Sequence, residues 1–77
     1  MREFHMSFRS FQQVQAFVKL AVAQPFPVWV GTDTQDINGK DLMGMSCLDY
    51  SRGVRVCAQC PDEESAQFEA DALKLLK

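Results

Sequence analysis

The sequence predicts an α+β open sandwich: a four-stranded antiparallel sheet with three helices on one face. Three observations carry that prediction. The chain has 77 residues, 47% hydrophobic and 23% charged, a size that suits one small domain spanning 1–77. Short runs with apolar residues at every second position alternate with stretches whose apolar residues recur every three or four. The resulting order is β-α-β-β-α-β-α, in which short amphipathic strands need a helical layer to bury their apolar side.

Each element has its own justification. Phe4, Met6 and Phe8 alternate with Glu3, His5 and Ser7, the period of a half-buried strand. Ser10-Phe11-Gln12-Gln13 has the form of a capping box. Phe11, Val14, Phe17, Val18 and Ala21 follow at helical spacing until Pro25 and Pro27, so a helix is predicted from about 10 to 23. From 26 to 32 the residues are β-branched and aromatic, with Val28 and Val30 on one face and Trp29 on the other. Gly31-Thr32-Asp33-Thr34 supplies turn chemistry, and 35–38 is a short return strand. Asp41 opens a short helix over 41–48, with Met45 and Leu48 as its core side chains. Ser51-Arg52-Gly53 is a turn, and 53–59 is the last strand, with Val54, Val56 and Ala58 on one face. Pro61-Asp62-Glu63-Glu64 opens a final helix to about residue 76, proline first and then acids near the positive end of the dipole.

Charge and composition exclude several function classes. Eight Lys and Arg against ten Asp and Glu give a formal charge of −2, which argues against a sequence-independent grip on nucleic acid. No apolar run approaches the roughly 20 residues that cross a bilayer, so no membrane insertion is expected. The N-terminus has no signal-peptide core, which makes the cytosol the expected compartment. No Gly-rich phosphate loop is present, and no cofactor is expected.

The three cysteines, Cys47, Cys57 and Cys60, are too few for a disulfide framework and suit reduced thiols. Cys57-Ala-Gln-Cys60 has a spacing used in metal and redox chemistry. A structural zinc site needs four ligands, however, and only Cys47 and His5 remain to complete one. A thioredoxin-like thiolate belongs at a helix N-terminus, whereas Cys57 sits in the strand Val54-Arg55-Val56-Cys57-Ala58. A strand cysteine plus a turn cysteine, with no metal, is the simpler account.

The second half carries the most specific pattern. Ile37-Asn38-Gly39-Lys40-Asp41-Leu42-Met43-Gly44-Met45-Ser46-Cys47-Leu48 resembles the stretch around the regulatory serine of HPr, the phosphocarrier of the bacterial sugar phosphotransferase system. The typical form in that family is Val-Asn-Ala-Lys-Ser-Ile-Met-Gly-Val-Met-Ser-Leu. Gly53-Val54-Arg55-Val56 and Asp62-Glu63-Glu64-Ser65-Ala66 are similar to the family's last strand and acidic helix start. Ala16-Phe17-Val18 is similar to the end of its active-site helix motif, where Phe-Val follows His-x-Arg-Pro-Ala. The resemblance runs from about 8 to 76, and it implies an HPr-like open-faced β-sandwich.

The family's reaction is reversible phosphorylation of one histidine at the start of the first helix. There the helix dipole and free N–H groups stabilise the phosphate, and an arginine two residues on adds charge-assisted hydrogen bonds. Counting back from Phe17-Val18 puts Ser10 at the histidine position, Gln12 at the arginine position and Gln13 at the proline position. The loop before the helix is also shortened. His5, the one histidine, lies mid-strand on the polar side of the alternation. A serine phosphate ester is far more inert than a phosphoimidazole, so Ser10 is expected to be a helix cap and no catalytic residue is assigned. Asp41 stands where many relatives carry the regulatory serine, and a carboxylate there is a permanent, weaker version of a phosphoserine charge; it is also a good helix cap. Leu42 and Met43 match an exposed apolar patch that docks partner proteins in the family, and on packing grounds one or the other is left outward.

In the final helix, Ala66, Ala70, Leu73 and Leu76 form the stripe that matches the family's core face, with Phe68, Ala72 and Leu75 beside it. The combined apolar arc spans roughly 220°, wider than a surface helix needs. Either the register is displaced, or Phe68, Ala72 and Leu75 meet a second copy of the chain.

Three functions are therefore weighed. The first is a protein-binding or regulatory module related to the phosphotransferase system, without histidine phosphotransfer or an enzymatic activity of its own, contacting phosphotransferase-system or regulatory proteins around Asp41, Leu42 and Met43. The second is a working phosphocarrier with an unrecognised acceptor, for which His5 is the one candidate. The third is a thiol or metal module using Cys57 and Cys60.

Overall fold

At the N-terminus Phe4 and Met6 are buried while Glu3 and His5 are exposed, so the period-two pattern forms a strand, β1 (Arg2–Met6). The structure is a computed structural model that describes residues 2–32, 35–47, 53–59 and 62–76. After β1 come α1 (Phe11–Val22), β2 (Val28–Gly31), β3 (Asp36–Asn38), α2 (Leu42–Ser46), β4 (Val54–Ala58) and α3 (Asp62–Lys74). This is the predicted β-α-β-β-α-β-α order. Of the sequence expectations, Leu48, Cys60 and Pro61 lie outside the described residues, as do Asp33, Thr34, Ser51 and Arg52 of the two turns.

The sheet is antiparallel throughout, with strand order β1-β4-β2-β3. Register aligns Phe4, Val56, Val30 and Ile37 in one row across all four strands. Because side chains alternate along each strand, that row, with Met6, Val28, Val54 and Ala58, makes one apolar face. Val14, Phe17, Val18 and Ala21 of α1, Met45 of α2 and Phe68 and Ala72 of α3 complete the core. Glu3, His5, Trp29 and Arg55 emerge on the opposite, open face.

Five of the six phenylalanines share the interior. Phe68 meets Phe4, Phe17 and Phe26 with ring centroids 6.1, 6.0 and 5.7 Å apart, and Phe8 meets Phe17 at 5.5 Å. These tilted and edge-on geometries are the favoured ones for aromatic pairs.

That cluster corrects the expected face of the last helix. Phe68 is 1% exposed and Ala72 fully buried, with Leu75 and Leu76 packed against them, whereas Ala66 and Ala70 are exposed and Leu73 is 38% exposed. A phenylalanine gains more from burial than an alanine, about 2–3 kcal/mol for the whole side chain, so the helix turns Phe68 inward. The suggested contact with a second copy through Phe68, Ala72 and Leu75 falls with it, because Phe68 and Ala72 are buried and Leu75 packs against the core. On the same buried face the Ser65 hydroxyl accepts from Arg2 Nε at 3.2 Å, and Arg2 Nη1 lies 3.3 Å from Glu69 Oε1. These contacts tie the first strand to the last helix.

Smaller departures have local causes. Phe11, expected on the core stripe of α1, is 40% exposed; it is the first helical residue, ahead of the stretch that covers the sheet. Strand β2 begins at Val28 rather than Phe26 because Pro27 has no N–H for the ladder; its carbonyl accepts from Gln59 N–H. Gly53, just ahead of β4, has φ +82°, a backbone conformation natural to glycine. After Lys74 the chain tightens, with Leu75 and Leu76 N–H donating to Ala72 and Leu73 carbonyls at 3.1 and 3.2 Å.

Candidate functional site

Two helix starts and the open sheet face hold the residues singled out by sequence. At the start of α1, Ser10 has extended backbone (φ −153°, ψ 162°) and its hydroxyl accepts from Gln13 N–H at 3.4 Å. It is therefore the N-cap that the sequence predicts. Gln13 does more than close a capping box. Its side-chain carbonyl accepts from Arg9 N–H at 2.6 Å, one residue earlier than the usual reciprocal bond, and its amide donates to the Leu75 carbonyl at 3.5 Å. Gln13 thus links the entry of α1 to the end of α3. Gln12 is exposed, and the first turn of α1 holds no acidic side chain.

His5 belongs to a different surface. In β1 it stands opposite Arg55 of β4 and is exposed, between the inward-facing Phe4 and Met6. The alternation that buries those neighbours sends the imidazole to the open face, away from the helix layer that holds Ser10.

At the second site Asp41 is the N-cap of α2, its carboxylate accepting from Met43 N–H at 3.1 Å and its carbonyl from Met45 N–H at 2.9 Å. The approach is fixed on both sides. Asn38 Oδ1 accepts from Lys40 N–H at 2.9 Å, and Lys40 Nζ donates to the Gln24 carbonyl just past α1 at 2.8 Å. Lys40 so places its ammonium near the negative end of that helix. Gly44 lets α2 lie close to β3: a Cβ there would come 2.9 Å from Ile37 Cγ2 and 3.1 Å from Asp41 Oδ2.

A helix of five residues has one inward position, and Met45 takes it with no exposure. Leu42 and Met43 are both outward, 43% and 82% exposed. The sequence left open which of the pair would face solvent; the structure brings both to the surface beside the Asp41 carboxylate. Ser46 Oγ donates to the Met43 carbonyl at 2.7 Å, and the exposed Cys47 is the C-cap.

Cys57 is a free, half-buried thiol on β4, in register with Glu3 on one side and Trp29 on the other. Among the described residues no three His, Cys, Asp or Glu side chains come together to hold a metal ion. Nor, among them, is any helix long and apolar enough to cross a membrane.

The architecture has a solved counterpart. The crystal structure of HPr-C-His from Thermoanaerobacter tengcongensis is similar at a TM-score of 0.76 and 24% sequence identity, over 96% of this chain and 92% of that one. No protein-family model and no curated protein matches the sequence. The likeness establishes the HPr-like open-faced β-sandwich, the fold the residue pattern implied.

Proposed function

We propose that this chain, an HPr-like fold related to the phosphocarriers of the sugar phosphotransferase system, acts in the cytosol as a protein-binding or regulatory module without histidine phosphotransfer. The observation that carries the reading is the pairing of two helix starts. At α1 a serine hydroxyl and a glutamine amide serve as caps where a phosphoacceptor histidine and its neighbours would be needed. At α2 a fixed carboxylate stands beside two exposed apolar side chains.

The chemistry of recognition follows from those groups. Asp41 presents a constant negative charge in the position of a regulatory phosphoserine, so a partner that reads this charge meets it without a kinase. Leu42 and Met43 supply the apolar contact, and methionine adapts to surfaces of varied shape. Lys40 and Gly44 hold the short helix in place, which lowers the ordering cost of docking.

The test uses the phosphotransferase enzymes and a labelled phosphate donor. Incubation is expected to leave no phosphohistidine on the chain, and labelling of His5 would overturn the reading in favour of a working carrier. Binding to phosphotransferase-system proteins, followed by calorimetric titration, is expected to weaken roughly tenfold or more in the Leu42→Ala, Met43→Ala double variant. Unchanged affinity there removes the proposed contact surface. The thiol alternative needs Cys60 beside Cys57, and native mass spectrometry that finds neither bound metal nor a disulfide ends it.

A further inference from the structure

Three methionines lie among the described residues, and the fold gives them unequal access to solvent. Met6 on β1 is 4% exposed and Met45 on α2 is fully buried, whereas Met43 is 82% exposed, more than any other large apolar side chain described. The cause is the geometry of a short helix. Residues two apart on a helix point about 160° away from each other, so turning Met45 onto the core sends Met43 outward. The Met43 backbone is held in that pose at both ends. Its N–H donates to the Asp41 carboxylate at 3.1 Å, and its carbonyl accepts from Ser46 Oγ at 2.7 Å.

Exposure sets the reactivity of a thioether toward peroxides, because the sulfur lone pair must reach the oxidant. The sulfur attacks one peroxide oxygen, the O–O bond breaks and an S–O bond forms; with hydrogen peroxide the other oxygen leaves as water. The sulfur gives up two electrons and the peroxide takes them. A sulfoxide reductase reverses the step with a dithiol, which becomes a disulfide as the oxygen departs in water. Met6 and Met45 are shielded from the same reagent until the domain opens.

The product is a poor docking group. A sulfoxide oxygen is an acceptor that keeps its water unless a donor replaces it. Neither polar side chain bonded to the Met43 backbone supplies one. An ionised carboxylate only accepts, and the Ser46 hydroxyl already donates to the Met43 carbonyl. Leu42, the other apolar contact, has no side-chain donor. A partner closing over this pair strips water from a dipole set beside the Asp41 charge.

We propose that Met43 is a reversible oxidation site whose sulfoxide releases the protein partner docked at Leu42 and Met43, so that peroxide regulates the contact. The regulation rests on those two side chains being the docking surface.

Hydrogen peroxide treatment of the full chain, followed by peptide mapping with residue-resolved fragmentation, tests the modification. Met43 is expected to gain one oxygen at least roughly tenfold faster than Met6 and Met45, and the three rates to converge in concentrated urea. Equal rates in the folded chain overturn the proposal. Methionine sulfoxide reductases with dithiothreitol are expected to remove the oxygen, with circular dichroism unchanged throughout. An oxygen that stays, or a fold lost on oxidation of Met43 alone, overturns it as well. Calorimetric titration against phosphotransferase-system proteins tests the consequence. Oxidation should weaken binding roughly fivefold or more, and the reductases should restore it. Met43→Leu, compared with itself before and after peroxide, should lose no affinity. An equal loss there would assign the effect to Cys47, the exposed thiol at the end of the same helix, and overturn the proposal. Undiminished binding by the sulfoxide, with weak binding by the Leu42→Ala, Met43→Ala variant, overturns the switch and leaves the docking surface standing. Undiminished binding by both removes surface and switch together.

Discussion

Ser10 and Asp41 do the same local work with different side chains, each accepting an N–H two or three residues ahead and so fixing where a helix begins. Both were legible in the sequence because capping depends on a few adjacent residues and little else. The Ser10 bond is long at 3.4 Å, and Gln13 adds two further contacts at the same helix start. Ser10→Ala is therefore expected at the low end of the range for cap removal, about 0.5–1 kcal/mol, read as a fall of a few degrees in Tm by calorimetry. Gln13 was only partly legible. Its reach to the Leu75 carbonyl spans 62 positions of chain, and no local pattern announces such a bond. The same holds for Phe11, whose spacing fits the core stripe while its place at the helix start leaves it in solvent.

Among the elements, α3 separates periodicity from packing most clearly. Its sequence offers two adjacent apolar stripes, and both satisfy helical spacing. Only the positions of Phe4, Phe17 and Phe26 decide that the Phe68 stripe goes inward. Phe68→Ala is expected to cost about 3–5 kcal/mol, enough to threaten folding of so small a domain. Leu73→Ala, at a position 38% exposed, should cost less than about 1 kcal/mol. Urea titrations of the two variants check the contrast, and similar losses would mean the helix faces the other way. In α2 the short length decides the outcome: with Met45 inward, the apolar residues that precede it are left outside whatever their hydropathy.

At the scale of the whole molecule, strand order governs which parts open first. β4 and β2 are the central strands, while β1 and the three-residue β3 form the edges. Hydrogen exchange should accordingly be slowest at the amides of Val30 and Val56 and markedly faster across Asp36, Ile37 and Asn38, since edge amides open with fewer neighbours lost. The reverse ranking would contradict the sheet order. The sequence alone determined the elements, their order, the apolar face of each strand and the capping residues, because those depend on side-chain period and short-range hydrogen bonding. Tertiary structure decided the inward face of α3, the joint exposure of Leu42 and Met43, and the grouping of Glu3, Trp29, Asp36 and Arg55 on the open face. Each of these rests on contacts between residues distant in the chain, and a pattern read along the chain carries no information about which distant partner fills a given space.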